Sequence, residues 1–343
     1  MQLVVTMGIR QLPSHPRPLQ DLYREHLEEA ALAEQLGFDA VWASEHHFSE
    51  DAWNPSPITF LAAVAARTAR VRIGTYVLLL PFHNPVRVAE DIAVLDNISA
   101  GRVDLPVGVG SAAEEFRTFG IPFNERLGRT FEALRIIERC FAGEEFSHKG
   151  KYYEFPNVRM TTTPVQRLGP PIWVASMGDQ SVAWTARRGY HLAAGAGRGH
   201  AKYEELLRQF GHDRSKCQIA SIPIRVHLAE TREKAWDEAE AGLHQVLHFY
   251  RTRVDLQSAT SVAGPLNELP PVGLFRNVPG IGHRGTPFVV GTPDEVGRAL
   301  EAYSDKRLSQ LSLNFHQPGM DTSAVRRSME MFARELMPSV KTW

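Results

Sequence analysis

The sequence predicts a single (β/α)8 barrel, the TIM-barrel class of α/β fold, and three observations support this prediction. Short apolar runs alternate with segments of helical periodicity along all 343 residues. The apolar runs are continuous rather than alternating, as expected for parallel strands that are covered on both faces. Eight such runs occur, and no linker divides the chain, so one domain covers residues 1–343.

Four strand–helix units are predicted in the first half of the chain. The predicted strands are residues 3–9, 38–43, 71–80 and 103–109. Gly37 ends the first helix, as a left-handed cap would. Asn84 and Pro85 begin the third helix. The helical region after the fourth strand runs to Phe141, with a break near residues 120–124.

The second half completes the repeat and adds two insertions. The predicted strands are residues 171–175, 191–194, 219–228 and 311–315. Residues 143–165 alternate aromatic and polar side chains, which predicts a hairpin excursion. Residues 251–287 are rich in Gly and Pro and lack periodicity, which is typical of a lid or of a disordered segment. Thr292 and Glu295 form a capping box around Pro293 at the first position of a helix.

Composition and charge exclude several classes of function. The net charge is −1 with acidic and basic residues interspersed, so neither nucleic acid nor a membrane is an expected partner. Cys140 and Cys217 are too isolated for a disulfide framework or a thiolate metal site. Apolar stretches stay well below about twenty residues, and Met1 leads directly into a strand-like run. We therefore expect a cytoplasmic protein that acts on small molecules.

The strongest chemical signal is the segment 42–48. Glu45, His46 and His47 directly follow the second predicted strand. In a barrel of parallel strands the active site lies at the carboxyl ends of the strands, so these side chains are candidates for catalysis. The alternative is a capping cluster of one solvated Glu and two structural histidines. A metal site is not expected, because adjacent side chains at a strand end point to opposite faces.

A glycine turn after the fourth predicted strand is a candidate for cofactor binding. Gly108, Val109 and Gly110 would let a cofactor approach the backbone closely. The turn also matches the loose dinucleotide fingerprint, but that fingerprint belongs after a first strand. Glu114 and Glu115 would moreover repel a phosphate there.

A second turn, at residues 176–181, follows the fifth predicted strand and begins a helix. Ser176, Gly178, Gln180 and Ser181 would present backbone amides and polar side chains, which predicts an anion or phosphate site. Helix capping by Ser or Asp is the alternative. Residues 195–198 form a second possible phosphate-binding turn.

Several motifs occur in a distinctive order over nearly the whole chain. They are residues 45–48, 54–55, 84–91, 95–96, 101–102, 115–117, 119–120, 174–176, 290–293 and 337–338. In this order and spacing, the chain resembles the bacterial luciferase-like, flavin-dependent monooxygenases. The resemblance implies an eight-fold barrel that binds reduced FMN at the carboxyl face of its strands, and a mobile lid at residues 251–287. O2 would form a flavin hydroperoxide there, which oxygenates a small organic substrate.

The resemblance also implies partners and residue roles. A separate flavin reductase would supply reduced FMN, and the helices after the second and third strands would form a homodimer. His46 matches the catalytic histidine of the family, and we expect His47 to act beside it and Glu45 to contact the cofactor. This role suits a histidine, which titrates near neutral pH. Tyr76 and Val77 match a position where the family often has a non-proline cis peptide against the flavin.

Two departures from the family pattern affect the expected chemistry. Val109 stands where the light-emitting luciferase subunit has a flavin-contacting arginine, and Gly108 stands where it has a reactive cysteine. Light emission is therefore not expected, and contact with the phosphate at residues 176–181 would pass to Arg126 or Arg129. Two alternatives stay open at this point. They are hydride transfer with a deazaflavin and flavin binding without turnover.

Overall fold

The computed structural model describes residues 1–176, 178–193, 199–253, 269–278, 280–283, 286–304 and 307–343. Within these residues, eight parallel strands close into a barrel, which confirms the predicted fold class. The strands are β1 (Gln2–Met7), β2 (Ala40–Ala43), β3 (Arg72–Thr75, continued by Leu78–Leu79), β4 (Val103–Gly108), β5 (Ile172–Ala175), β6 (His191–Ala193), β7 (Ile219–Ala220, continued by Ile224–Leu228) and β8 (Gln310–Asn314). The barrel closes where β8 pairs with β1, from Gln2 opposite Gln310 to Val5 opposite Leu313.

One long helix follows each strand and covers the outside of the barrel. These helices are α1 (Leu19–Leu36), α2 (Pro57–Arg67), α3 (Pro85–Ile98), α4 (Arg126–Phe141), α5 (Asp179–Arg188), α6 (His200–Gln209), α7 (Arg232–Arg253) and α8 (Thr322–Glu335). Shorter helices span Ala113–Thr118, Pro293–Leu300 and Met337–Val340. Gly37 ends α1 with a φ of 88°, as predicted for a left-handed cap. None of the described helices combines the length and apolar composition that a bilayer crossing requires.

Large side chains pack inside the barrel. The Trp42 ring lies edge-on to the Trp173 ring, with centroids 5.4 Å apart. The Tyr76 ring stacks on the Trp42 ring, with centroids 5.5 Å apart. Gly74 is required here, because a Cβ atom at this position would lie 2.8 Å from the Trp42 ring. Toward the amino ends of the strands, Arg72 Nη2 is 2.7 Å from Asp104 Oδ1.

Three predicted boundaries are wrong, each for a local physical reason. The third strand is two segments, separated by the cis peptide bond between Tyr76 and Val77. The seventh strand is broken at residues 221–223, where Pro223 lacks the N–H that a strand ladder needs. The helix α7 extends to Arg253, so the predicted lid cannot begin at residue 251.

Part of the predicted lid is ordered against α7. Phe275 is fully buried, and Arg276 Nη2 lies 2.6 Å from Glu240 Oε2 on that helix. The strand Val289–Gly291 then pairs in parallel with β7. Residues 254–268 of the predicted lid lie outside the described residues, so its mobility stays a prediction.

The predicted hairpin is present between β4 and β5, where Glu145–Lys149 pairs antiparallel with Glu154–Arg159. Glu132 of α4 accepts hydrogen bonds from the backbone N–H groups of Lys151 at 3.1 Å and Tyr153 at 3.0 Å. It is also 3.0 Å from the Nε2 atom of His148. One buried carboxylate therefore fixes the hairpin turn to the barrel wall.

Replacing Thr292 by Ala should lower the free energy of unfolding by about 1 kcal/mol, because it removes half of a capping box. The hydroxyl of Thr292 accepts from Glu295 N at 3.4 Å, and Thr292 N donates to Glu295 Oε2 at 3.0 Å. Urea unfolding measures the change. Thr162→Ala, at an exposed loop position, is the control and should differ from the parent by less than half as much.

Candidate active site

One loop, one short helix and the end of α7 bring the candidate site together. Glu45, His46 and His47 follow β2 directly, and their exposed fractions are only 2%, 8% and 8%. The short helix after β4 supplies Glu115, and the last turns of α7 supply Phe249. Side chains that are distant in sequence therefore meet at the face where the sequence placed the site.

The carboxylate of Glu45 is the hub of the first network. Its Oε1 atom is 2.7 Å from His47 Nε2 and 2.8 Å from His83 Nε2, and its Oε2 atom accepts from Leu79 N at 2.7 Å. Burial alone would raise the pKa of Glu45, but hydrogen bonds from His47, His83 and Leu79 outweigh burial and lower this pKa to about 2. Glu45 is therefore ionised at neutral pH, and both histidines donate to it through Nε2.

The carboxylate of Glu115 orients His46 in a different way. Its Oε1 atom is 2.9 Å from His46 Nδ1 and also accepts from His47 N at 2.8 Å. Because Glu115 Oε1 acts as the acceptor for the backbone N–H of His47, we assign the hydrogen of the His46 contact to Nδ1, which leaves the lone pair of the neutral ring on Nε2. Nε2 forms no hydrogen bond to another described residue. His46 can therefore take up or release a proton at Nε2.

Aromatic rings enclose His46. The ring of Trp53 is edge-on at 4.4 Å and that of Phe249 at 4.9 Å. Trp53 is held in turn by Ser44, whose hydroxyl accepts from Nε1 at 2.8 Å. The guanidinium of Arg10 lies over the face of the Trp53 ring, 4.0 Å from the ring centroid.

Arg10 and Asp51 form a buried ion pair that the sequence analysis missed. Arg10 Nη1 lies 3.2 Å from Asp51 Oδ2, and the side chains are 2% and 1% exposed. Burial lowers the pKa of the guanidinium despite the opposing effect of Asp51. The sequence signal for this pair was Arg10, a polar residue directly after the first predicted strand. The rule that the carboxyl ends of barrel strands carry the site applies to Arg10 as it does to His46.

A second aromatic group surrounds His47. Its ring lies 4.9 Å from Phe119 and 5.6 Å from Phe82, edge-on in both cases. Arg253, the last residue of α7, donates to the carbonyl oxygen of Phe48 at 2.7 Å and is 2.7 Å from Glu114 Oε2. The end of α7 is therefore tied to the loops after β2 and β4.

Tyr76 and Val77 lie at the mouth of the barrel, between the two segments of β3. Both residues are half-buried, whereas most other residues of β3 are buried. The peptide bond between them is cis, as the resemblance implied. Gly108 packs directly on Val77, and an added Cβ atom would overlap the Cγ2 atom of that side chain. Gly110 has a φ of 77° and packs against the Phe116 ring. These glycines therefore pack against protein side chains, while Tyr76, Val77 and Val109 are half-buried.

The predicted phosphate site lies at the start of α5. Gly178 is the N-cap residue, and no side chain caps the first turn, so backbone N–H groups stay available to an anion. Among the described residues, a Cβ atom at Gly178 would meet only Ser181 Oγ, at 3.9 Å. Ser176 instead points inward, with Oγ 3.1 Å from Thr185 Oγ1, and Gln180 is exposed. Residues 195–198 lie outside the described part of the chain.

Arg126 is the first residue of α4. Its Nη1 atom donates to Phe123 O at 2.8 Å, and its guanidinium lies 3.8 Å from the centroid of the Phe123 ring. Phe131 of α4 stacks on Trp184 of α5 at 3.8 Å, which sets the two helices side by side. Arg126 therefore lies at the same end of the barrel as the first turn of α5. Arg129 is paired with Glu125, at 2.9 Å.

Comparison with known proteins settles the family. The model of the family described as "Luciferase-like monooxygenase" matches residues 1–310. The chain belongs to this family. The site agrees with this assignment, because Glu45, His46, His47 and Glu115, which belong to the matching motifs, meet at one face of the barrel. The open first turn of α5 and the half-buried mouth at Tyr76 and Val77 fit a flavin with a phosphate.

Relatives of this luciferase-like protein use more than one cofactor. A solved structure of the monooxygenase RslO1 from Streptomyces bottropensis superposes with a TM-score of 0.84 at 26% identity, covering 98% of this chain and 99% of the other. The oxygenase component of flavin-dependent trigonelline monooxygenase from Acinetobacter baylyi is 25% identical over 93% of this chain and 90% of its own. F420-dependent glucose-6-phosphate dehydrogenase from Amycolatopsis mediterranei is 28% identical over 93% and 95%.

Other curated relatives match over less of the chain. The uncharacterized protein y4wF of Sinorhizobium fredii is 39% identical, but the match spans 50% of this chain and 50% of that protein. The family thus fixes the luciferase-like fold, while the reaction, the cofactor and the substrate need separate arguments.

The Glu45 network predicts a pH-dependent loss of stability. Glu45→Gln should lower the free energy of unfolding by about 3 kcal/mol at neutral pH, because the buried histidine partners lose their carboxylate. The folded pKa of about 2 lies below the ordinary value of 4.5. The difference between parent and variant should therefore be full above about pH 5 and shrink as the pH falls from 4.5 toward 2.

Urea unfolding from pH 7 down to pH 3 measures this difference. Glu50→Gln, at an exposed position in the same loop, is the matched control. If the difference in free energy of unfolding between the parent and Glu45→Gln does not change over this pH range, Glu45 is not ionised in the way that we predict.

Proposed function

We propose that this protein is a two-component, FMN-dependent monooxygenase, which receives reduced FMN from a separate flavin reductase and uses O2 to oxygenate a small organic substrate. The observation that carries the proposal is His46, whose Nδ1 is bound by Glu115 so that Nε2 remains for proton transfer at the barrel mouth. Family membership and relatives named as monooxygenases support it. The relative named as an oxygenase component supports a separate reductase.

His46 would act as the general acid and base through Nε2. Glu115 keeps the hydrogen on Nδ1, so the lone pair of Nε2 faces the reacting groups. When Nε2 takes a proton, the nearby carboxylate stabilises the imidazolium. The rings of Trp53 and Phe249 exclude water from His46, which favours proton exchange with the bound reactants over exchange with solvent.

His47 has a supporting role in this proposal, although the resemblance placed it beside His46 as a catalytic residue. Its Nε2 atom is engaged by Glu45, and its ring packs against Phe82 and Phe119. Glu45 would act through its neighbours as well, since both of its oxygens accept hydrogen bonds from protein groups. The pair fixes the loop that carries His46.

Reduced flavin, when bound, supplies the electrons for reducing O2 and transferring one oxygen atom to the substrate. We propose that residues of the barrel mouth and of the α5 first turn hold it. They are Tyr76, Val77, Gly108, Val109 and Gly110 for the ring, and Arg126, Gly178, Gln180 and Ser181 for the phosphate end. Ser176, which the sequence predicted for this site, instead contacts Thr185 through its hydroxyl and donates its backbone N–H to Ala193 O. Among these, Gly178 and Arg126 have the clearest physical role, because an uncapped helix start and a cation both attract a phosphate.

Hydride transfer with a deazaflavin is the second candidate function. It is favoured by the similarity to F420-dependent glucose-6-phosphate dehydrogenase, which extends over 93% of this chain. The two functions differ in the cofactor that binds and in the need for O2.

We also propose a homodimer formed through α2 and α3. Val94 and Ile98 of α3 are 47% and 51% exposed, and a groove lined by both helices lies beside them. Exposed apolar side chains on adjacent helices favour burial against a second copy.

A cytoplasmic location is part of the same proposal, since Cys140 and Cys217 are both free and buried, which suits a reducing compartment.

Cofactor binding tests the proposed function directly. In anaerobic titrations, reduced FMN should bind at least about tenfold more tightly than reduced F420 and than reduced riboflavin, because the α5 first turn selects a compact phosphate. On mixing with O2, bound reduced FMN should be reoxidised more slowly than free reduced FMN. Tighter binding of F420 would overturn the proposal in favour of hydride transfer. Tight FMN binding with reoxidation at the free rate would indicate flavin binding without turnover.

Replacing His46 by Gln should lower kcat for substrate oxygenation by about 10²- to 10⁴-fold, because the proton-transfer group is lost. KM and the Kd for reduced FMN should change little. Product formation with a flavin reductase, NADH and O2, followed by mass spectrometry, measures the rate. His15→Gln, at an exposed loop position, is the control. A His46→Gln variant as fast as the parent would show that another group transfers the proton.

A further inference from the structure

A buried cluster outside the candidate active site has the composition of a metal centre. It consists of His26 and Glu29 on α1 and of His316, two residues after β8. Their exposed fractions are 0%, 4% and 7%. Each side chain offers one ligating atom, and these three atoms lie within 4.8 Å of one another. The proposed oxygenation chemistry uses none of them.

His26 is oriented as a metal ligand would be. Its Nδ1 atom donates to the carbonyl oxygen of Leu22 at 2.9 Å, so its Nε2 atom carries the lone pair. Nε2 is fully buried and has no hydrogen-bond partner among the described residues. An unpaired buried acceptor is costly, and metal-binding histidines usually donate their other N–H to a backbone carbonyl or a carboxylate.

The other two members supply a negative charge and a second nitrogen. Glu29 Oε1 lies 2.7 Å from His316 Nδ1, and the His316 ring stacks on the His26 ring with centroids 4.3 Å apart. His26 and Glu29 are three residues apart on one helix face, which points both toward His316. Two imidazoles and one carboxylate are a donor set that suits Zn²⁺.

We propose that His26, Glu29 and His316 bind one divalent transition-metal ion of the Zn²⁺ class. The ion would replace the hydrogen bond between Glu29 and His316 and take the lone pair of His26 Nε2, with a water as fourth ligand. Because the two rings are stacked, the His316 ring would have to turn about its Cβ–Cγ bond to share the ion. Its side chain, 6% exposed, is the most accessible of the three.

The position of the cluster indicates a structural role. His316 follows β8, whereas His26 and Glu29 lie on the helix that follows β1. Strands β1 and β8 are the pair that closes the barrel. An ion between them would link the first and last units of the chain, and would therefore stabilise the closed barrel rather than take part in oxygenation. This inference does not depend on the proposed function.

Zinc binding by the full chain tests the proposal. The protein is dialysed against EDTA, then against Zn²⁺, and the retained zinc is measured by elemental mass spectrometry. Competition with a chromogenic chelator gives the Kd, and thermal unfolding with and without Zn²⁺ gives the change in Tm. We expect one retained ion per chain and a higher Tm. His26→Gln and Glu29→Gln should each weaken binding by about tenfold or more.

Two further variants keep the test decisive. His15→Gln, which removes an exposed histidine, should leave zinc affinity unchanged. His316→Gln changes the most accessible ligand and serves if His26→Gln fails to fold. If the chain retains no zinc, or if all three cluster variants bind it like the parent, the proposal is overturned. The cluster would then be a stacked ion pair that packs α1 against the end of β8.

Discussion

Two buried carboxylates hold the carboxyl face of the barrel in its working arrangement. Glu45 joins the end of β2 to the backbone of Leu79 and to His83, and so connects the loops of two neighbouring strands. Glu115 reaches from the loop after β4 back to His46. A buried carboxylate is costly unless hydrogen bonds compensate its lost hydration. Each loop therefore has to keep its position, since moving one would leave a charge without partners.

The same two carboxylates give neighbouring histidines different roles. His47 and His83 donate to Glu45 through Nε2, while His46 is held through Nδ1. The difference decides which nitrogen remains for chemistry. Of these three histidines, only His46 combines a fixed Nδ1 hydrogen with an Nε2 atom that has no partner among the described residues. A motif of two adjacent histidines thus provides one candidate for proton transfer and one structural residue.

Packing inside the barrel explains why the candidate site lies at one end. Trp42 and Trp173 fill the middle of the interior below Tyr76, and the pair of Arg72 and Asp104 fills the part toward the amino ends. Above them the strand ends open into loops, where aromatic rings surround His46. Arg10, stacked on Trp53, adds a buried cation to this wall. The site is thus mainly apolar, with a few polar groups in fixed positions, as is usual for small-molecule sites.

The sequence by itself determined the eight-fold barrel, the capping box at Thr292 and, through family resemblance, the cis bond after Tyr76. It also predicted a site at the end of β2 with His46 as the catalytic residue, and this stays a prediction. These features depend on local patterns of burial and turn chemistry or on motif order. Only the tertiary structure decided the rest. Glu115 is 69 residues from His46, and nothing in the sequence pairs them. Gly108 accommodates Val77, and Arg10 meets Trp53, because strands distant in sequence become neighbours. Strand periodicity is a short-range property, whereas hydrogen-bond partners depend on how the whole barrel closes.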